Sequence, residues 1–265
     1  NQIILVILLM LILKNIFMNI AVCISSVPDT TSKINFTEEN TKFDTSGIQF
    51  VINPYDEFGL TKAIKIKEEL GANITVINVG DEKNEPVIRK ALAIGADNAI
   101  RINANPKDSY STGSEIAAFL KNNPVDLIIA GRESIDYNGG AVHGIIAEIL
   151  NIPLVNACVD IKIEGESAKL IREIDGGQEM ISAKLPLIIG GQKGLVQESE
   201  LRIPNMRGIM QARTKPLRVI DSLINKSFSN SEKFEKPRKK EDCRIIDSNN
   251  IGELINILCN DAKVI

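Results

Sequence analysis

Short apolar runs alternate with amphipathic segments between residues 19 and 150. The apolar runs are too short for ordinary helices and are typical of buried strands in a parallel sheet; they cover residues 19–25, 73–79, 99–102 and 127–130. The amphipathic segments end at glycine, asparagine or proline and predict helices; they cover residues 54–70, 86–94, 111–122 and 140–150. Four strand–helix units in a row predict a parallel sheet covered by helices on both faces.

The first of these helices has a well-marked start. Asn53 suits the N-cap position and Pro54 suits the first turn. The carboxylates of Asp56 and Glu57 complement the positive end of the helix dipole. Helix initiation therefore explains both carboxylates better than catalysis does.

The pattern changes after residue 150. Two apolar segments, 155–163 and 169–174, flank Gly165 and predict a β-hairpin, and residues 187–189 predict one more short strand. Residues 198–215 are polar and contain a proline, which predicts a loop. We therefore expect an α/β protein with an open, mostly parallel, doubly wound sheet, an added β-hairpin and a C-terminal extension.

Both ends of the chain differ in composition from this α/β unit, which we expect to span residues 18–225. The apolar run 3–13 is about half as long as a membrane-spanning helix (roughly 20 residues) and lacks the flanking features of a signal peptide. Residues 1–17 therefore favour an extension upstream of Met18, or a tail, over a membrane anchor. Residues 226–265 have the composition of a charged linker followed by a short amphipathic helix.

Charge, cysteine and histidine content exclude several functions. The formal net charge is −3, so the chain offers no overall positive charge for nucleic acid or anionic membranes. The four cysteines show no C-x-x-C spacing, which argues against a disulfide scaffold or zinc finger and favours a reducing, cytoplasmic compartment. His143 is the single histidine, so histidine-rich metal sites are excluded and a catalytic triad has little support.

Three segments follow the carboxyl ends of predicted parallel strands, where open sheets of this kind bind ligands. They are residues 23–26, 79–81 and 131–140. The last of them, GRESIDYNGG, leads into a helix whose first amides would face a phosphate without a lysine, and its two final glycines allow close approach. It matches neither G-x-G-x-x-G nor a Walker A loop, and an ordinary glycine turn explains it equally well.

Individual polar residues near this edge of the sheet also have ordinary explanations. Asp136 would either hold a ribose hydroxyl or cap the turn of the loop. His143 lies one turn into the following helix, where a packed or solvated role is favoured over a catalytic one. Cys23 and Cys158 lie in apolar strands and are expected in the core.

Five segments together resemble electron transfer flavoprotein beta subunits. VINPYDEFGLTKAIKIKEE resembles the conserved first-helix segment of that family, ALAIGAD (residues 91–97) is also similar to the family, and AGRESIDYNGG resembles its adenine-nucleotide loop. IREIDGGQEMISAKLPLIIGG resembles the family signature, and RIPNMRGIMQA resembles the partner-recognition loop, here within residues 198–213. The resemblance covers residues 18 to 221, nearly all of the expected α/β unit.

The resemblance implies a fold, cofactors and partners. It implies an adenine-nucleotide alpha hydrolase-like fold and a heterodimer with an alpha subunit. FAD would be held mainly by the alpha subunit, while this chain would hold AMP as a structural ligand. Electrons would pass from acyl-CoA dehydrogenases and other dehydrogenases to a membrane quinone oxidoreductase, with no catalytic side chain in this subunit. A second FAD in place of AMP, as in electron-bifurcating relatives, stays open.

The resemblance also implies roles for particular residues. Cys23 and Val79 correspond to nucleotide contacts, Tyr55 to an aromatic residue that faces the flavin, and Ile203 to the aliphatic anchor that partner dehydrogenases bury. The implied cofactor-binding residues are Cys23, Asn53, Pro54, Tyr55, Asp56, Val79, Gly131, Arg132, Glu133, Ser134, Ile135, Asp136, Tyr137, Asn138, Gly139 and Gly140.

The chain also departs from the family pattern. The nucleotide loop is shorter than in many relatives, and Gly-Gly-Ala stands where Thr-Gly-Gln is common, which leaves individual loop contacts open. The C-terminal tail is longer than in the mitochondrial type. Its apolar stripe would pack either on the alpha subunit or on its own domain; the stripe consists of Ile251, Leu254, Ile255 and Leu258.

Two other function classes compete with an electron carrier. A nucleotide-using hydrolase or ligase would need a nucleophile–base pair or a Ser-Gly-Gly-x-Ser pyrophosphate motif, and the sequence shows neither. A nucleotide-sensing module of the universal-stress type leaves the segment after Ile171 unexplained.

Overall fold

Strands account for much of the chain in the computed structural model, which describes residues 18–238 and 243–265. The strands are β1 Met18–Cys23, β2 Ser26–Pro28, β3 Phe36–Thr37, β4 Lys42–Phe43, β5 Phe50–Ile52, β6 Ala72–Val79, β7 Asn98–Asn103, β8 Leu127–Gly131, β9 Leu154–Glu164, β10 Ser167–Ile174, β11 Gly177–Lys184, β12 Leu187–Gly191 and β13 Leu217–Asp221. Nine of these described strands form the central sheet, in the order β11-β10-β9-β12-β8-β1-β6-β7-β13.

Within this sheet the neighbouring strands β9, β12, β8, β1, β6, β7 and β13 are parallel. β10 and β11 extend the sheet beyond β9 in antiparallel pairing. After β1 the chain builds outward to β6 and β7, and then returns to place β8 on the other side of β1. The carboxyl ends of β1 and β8 therefore form a topological switch point, where ligands bind in sheets of this class.

Helices cover both faces of the sheet. They are α1 Pro54–Leu70, α2 Glu85–Ile94, α3 Ser109–Asn122, α4 Val142–Leu150, α5 Met206–Ala212 and α6 Ile251–Asn256. Alternation along β1 divides the core, because Ile20 and Val22 pack with α1 and α2 whereas Ala21 and Cys23 pack with α3 and α4. The predicted doubly wound α/β class is thus confirmed.

Several elements differ from the sequence prediction. The hairpin continues into a third antiparallel strand, β11, which is largely exposed at the sheet edge and therefore lacks an apolar run. The polar segment predicted as a loop contains α5, whose last residue, Ala212, accepts a hydrogen bond from Arg89 of α2 at its carbonyl oxygen. β13 was also not predicted, since three of its five residues are exposed. α4 begins at Val142, two residues later than predicted.

The two chain ends have separate outcomes. Residues 1–17, for which an extension or tail was expected, lie outside the described residues. Near the other end, Ile251, Leu254 and Ile255 of α6 are exposed and Leu258 is half-buried, so most of the predicted apolar stripe is exposed in the described part of the chain. No helix in that part has the length and apolar character needed to cross a bilayer.

Candidate functional site

A cavity of about 800 Å³ lies at the carboxyl ends of β1, β6, β7 and β8, at the topological switch point. Its volume is in the range of small-molecule and cofactor sites. Ten residues proposed from the sequence line it: Cys23, Asn53, Asp56, Val79, Gly131, Glu133, Ser134, Asp136, Tyr137 and Gly139. Most candidates therefore lie together, because parallel strands have their carboxyl ends at the same edge of the sheet.

Asn53 holds the nucleotide loop rather than capping its own helix. It occupies the N-cap position of α1, as predicted, but its side chain makes no capping hydrogen bond. Its Nδ2 donates to the carbonyl oxygen of Glu133 at 2.8 Å, and its Oδ1 accepts from the amide of Ile135 at 3.3 Å. Since Asn53 is buried, these bonds fix the loop to the first turn of α1.

Asp56 joins the ends of the two strands at the switch point. Its carboxylate accepts the amide of Ser25 at 2.7 Å and the amide of Gly131 at 2.9 Å. Burial raises the pKa of Asp56 to about 7, although these two amides act in the opposite direction. The residue was predicted to complement the helix dipole; it is also a buried link between β1, β8 and α1.

Gly131 is placed where only glycine fits. A Cβ on this residue would lie 2.4 Å from Asp56 Oδ1 and 2.7 Å from Tyr55 Cβ. The absence of a side chain therefore lets β8 end directly against the first turn of α1. Glycine is required here because the end of β8 approaches α1 closely. A requirement of this kind was expected from the sequence for the two glycines that end the loop.

The loop after β8 closes on itself before α4 starts. The amide of Ser134 donates to the carbonyl oxygen of Gly139 at 3.1 Å, and Asn138 adopts a positive φ of 50°. Asp136 Oδ1 accepts hydrogen bonds from the Ser134 hydroxyl and the Tyr137 amide, so this carboxylate does cap the turn. Asp136 also lines the cavity, which keeps a ribose contact open.

The N-terminus of α4 borders the cavity through Val142 and His143. The first amides of a helix have no partner within the helix, so this end offers donors and a partial positive charge to an anion. α4 also has no side-chain cap at Ala141 that would compete for those donors. The arrangement suits a phosphate group, as the sequence predicted.

Part of the cavity is apolar, where β1 and β6 end. Cys23 and Val79 are buried at the ends of β1 and β6. Burial, with a smaller contribution from Asp56, raises the pKa of Cys23 to about 12, so its thiol stays protonated at neutral pH. Burial lowers the pKa of His143, which is packed rather than solvated. These surroundings fit an aromatic base better than a nucleophile or general base.

Six sequence candidates lie outside the cavity lining: Pro54, Tyr55, Arg132, Ile135, Asn138 and Gly140. Tyr55 is half-buried beside the cavity. Burial and, to a smaller extent, the neighbouring Glu133 raise the pKa of Tyr55. Ile135 and Pro54 belong to the loop and the helix that Asn53 joins.

Sequence reasoning missed two walls of the cavity. One is the loop after β7, with Asn105, Lys107 and the N-cap Asp108. The rule for strand ends could have found this loop, because β7 was predicted. The other wall consists of Ser229, Asn230 and Ser231, which come from the segment expected as a linker. No local signal marks it.

Ile203 lies far from this cavity on an exposed surface. Its side chain is 85% exposed, and Met206 and Met210 of α5 are exposed beside it in the sequence. The preceding Arg202 is held to α1 by an ion pair between its Nη2 and Glu68 Oε2 at 2.7 Å. The exposure of Ile203 leaves it accessible to a partner, as the predicted contact requires, whereas Arg202 beside it is held by α1.

The described residues contain no group of three or more His, Cys, Asp or Glu side chains that could hold a metal ion.

The sequence of this chain is similar to those of several known proteins. The family model described as "Electron transfer flavoprotein domain" matches residues 40–223. The electron transfer flavoprotein subunit beta of Bacillus subtilis is 35% identical over 94% of this chain and 100% of its own length. That of Syntrophomonas wolfei is 35% identical over 76% of this chain and 78% of its own.

A relative with a different name is also similar to the chain. The acryloyl-CoA reductase electron transfer subunit gamma of Anaerotignum propionicum is 31% identical over 77% of this chain and 78% of its own length. The family match includes most of the cavity lining, the antiparallel strands and the segment of Ile203, but not the lining residues 23–26 and 229–231. The chain therefore belongs to the family of electron transfer flavoprotein beta subunits.

Proposed function

We propose that this chain holds AMP as a structural ligand in the switch-point cavity and forms a heterodimer with an electron transfer flavoprotein alpha subunit. The observation that carries the proposal is the cavity itself, with an apolar floor at one part and the unpaired first amides of α4 at another. An adenine suits the floor near Cys23 and Val79, and a phosphate suits the helix start.

In this proposal the chain orients its ligand without reacting with it. The lining side chains lack an activated nucleophile, because burial keeps the thiol of Cys23 protonated. Asn53 and Asp56 serve as positioning residues, since their hydrogen bonds fix the loop 131–140 and the ends of β1 and β8. The subunit is then an electron-carrier component rather than an enzyme.

FAD would supply the redox chemistry and would be held mainly by the alpha subunit. On this chain, half-buried Tyr55 at the start of α1 is the residue we expect to face the flavin across the subunit interface. Its position outside the cavity lining is consistent with a contact to a second cofactor rather than to AMP.

The electron donors would be dehydrogenases, among them acyl-CoA dehydrogenases, and the acceptor a membrane quinone oxidoreductase. The similarity to an electron transfer subunit of an acryloyl-CoA reductase supports a CoA-thioester pathway. Exposed Ile203 would be buried by the dehydrogenase during a short-lived encounter, and a small apolar contact suits exchange between several partners.

A second FAD in place of AMP is the other candidate. The observation that favours it is the extension of the cavity to the loop after β7 and to α3, which adds space beyond the residues expected to hold a mononucleotide. A stress-type nucleotide sensor is less well supported, because the family match includes the segment after Ile171.

Ligand extraction from the purified heterodimer tests the proposal. The complex is denatured and the released nucleotides are separated and quantified against protein. One FAD and one AMP per heterodimer is the expected result, whereas two FAD and no AMP would favour the second candidate. A heterodimer without any adenine nucleotide besides one FAD would contradict both, and so would sustained ATP turnover.

A further inference from the structure

The segment that follows β13 forms one wall of the cavity and is attached at both of its ends. We call residues 222–236 the strap. Ser229, Asn230 and Ser231 in its middle line the cavity. The strap was expected to begin a linker, yet it makes specific long-range contacts with α3 and with the hairpin of β3 and β4.

The first attachment surrounds a buried carboxylate. Glu115 of α3 is 2% exposed, and its oxygens accept the amides of Leu223, Ile224 and Asn225 at 2.7, 3.1 and 2.9 Å. The hydroxyl of Ser222 donates to the same carboxylate. Successive amides around one anion form a strong, charge-assisted contact. Glu115 does not line the cavity, so its contact is with the strap alone.

The second attachment lies at the cavity rim. Asp108 Oδ2 accepts the amides of Phe228 and Ser229 at 2.7 and 2.8 Å, while its Oδ1 caps α3 through the amide of Ser111. The ring of Phe228 meets Tyr110 edge-on at 4.5 Å between centroids. These contacts orient the three lining residues that follow.

The far end of the strap is attached to the connection between β1 and α1. The ring of Phe234 stacks on Phe36 at 5.1 Å, and the amide of Phe234 donates to Asn40 at 2.8 Å. The strap therefore reaches from α3 to the β3–β4 hairpin, and its cavity-lining residues lie between these two attachments.

We propose that Ser229, Asn230 and Ser231 contact the bound adenine nucleotide and that the strap, positioned by Glu115 and Asp108, sets how fast the nucleotide is released. This inference rests on the proposed nucleotide site. Hydroxyl, amide and backbone groups are suited to the ribose and phosphate, and Lys107 on the adjoining loop supplies a positive charge for the same end of the ligand. In this proposal the strap moves before the ligand leaves.

The test uses the purified heterodimer loaded with radiolabelled AMP and chased with excess unlabelled AMP. Glu115→Gln places an amide group against the strap amides, and we expect AMP release to accelerate about tenfold or more, because hydrogen bonds to a charged acceptor are lost. Glu148→Gln, on the exposed side of α4, is the matched control and should release AMP at the wild-type rate. The flavin absorbance spectrum and unfolding temperature report any general damage.

A second variant protects the test against a folding defect. Phe228→Ala combined with Phe234→Ala removes the ring contacts at the second attachment and at the far end of the strap without leaving a buried charge unpaired, and neither residue lines the cavity. This variant should also release AMP faster, at an unchanged unfolding temperature.

The outcomes separate the strap from the nucleotide site itself. AMP bound in the wild type but released at the same rate from Glu115→Gln and the double Phe variant would overturn the strap proposal and leave the proposed function intact. A wild-type heterodimer that binds no AMP would overturn the proposed function and this inference together. If Glu115→Gln does not fold, the double Phe variant decides alone.

Discussion

Replacing Gly131 by alanine tests the packing at the switch point directly. The added Cβ would lie 2.4 Å from Asp56 Oδ1 and 2.7 Å from Tyr55 Cβ, both far inside van der Waals contact. The carboxylate cannot simply turn away, because it is buried and accepts the amides of Ser25 and Gly131. Either Asp56 loses one of these bonds or β8 moves away from α1.

The expected cost follows from these two alternatives. Overpacking in a dense interior costs about 1–3 kcal/mol. Weakening a hydrogen bond to a charged acceptor costs about 1.5–3 kcal/mol. A movement that relieves the overpacking weakens the hydrogen bond, so the two costs do not add in full. We therefore expect Gly131→Ala to lower the free energy of unfolding by about 2–4 kcal/mol. AMP binding should weaken as well, since the loop 131–140 starts at this residue.

Urea denaturation of the full chain measures the first effect, and calorimetric titration of the heterodimer with AMP measures the second. Gly144→Ala in α4 is the matched control, because a Cβ there meets no atom within 4 Å. Alanine should leave stability unchanged or raise it by up to about 1 kcal/mol through helix propensity. The packing argument is refuted if Gly131→Ala and Gly144→Ala unfold at the same urea concentration.

Three further substitutions have defined expectations. Asp56→Asn should remove a pH dependence of stability: because burial raises the folded-state pKa of Asp56 from 3.8 to about 7, the wild type loses stability relative to the variant as pH rises from 4 to 7, and parallel denaturation curves across that range would contradict this. Ile203→Ala should leave flavin content and unfolding unchanged but weaken dehydrogenase docking about thirtyfold, since an aliphatic side chain contributes about 2 kcal/mol when buried; stopped-flow reduction measures it, with exposed Met180→Ala as the control. Ile129→Ala, at a fully buried position under α1, should lower the free energy of unfolding, measured in urea, by about 2–5 kcal/mol. A decrease no larger than that caused by an exposed substitution would contradict the packing of this side chain in the core.

The sequence predicted those elements whose burial gives them a recognisable pattern of apolar residues. β1, β6, β7 and β8 are continuous apolar runs because both faces of a parallel strand are covered, and they agree with the structure within two residues. β11 and β13 lie at sheet edges with exposed faces, so their composition resembles that of loops. The last residue of α5 accepts a hydrogen bond from Arg89 of α2, and a contact between distant residues leaves no local pattern.

The candidate site shows the same division. The segments after β1, β6 and β8 were expected to meet, because the ends of adjacent parallel strands are neighbours by construction. Glu115 and Asp108 could not be recognised as holding residues, since their partners lie more than 100 positions away along the chain. The role of Asp56 was also hidden, because a helix start explains an acidic residue without reference to strands.

The position of the strap in the chain determines when the cavity can be completed during synthesis. Ser229, Asn230 and Ser231 follow β13, which comes last in chain order among the described strands of the central sheet. Because translation proceeds from the N-terminus, the cavity lacks this wall until every one of those strands has been synthesised. A nascent chain can thus complete its sheet before it can retain a nucleotide, and ligand capture becomes a late event in maturation.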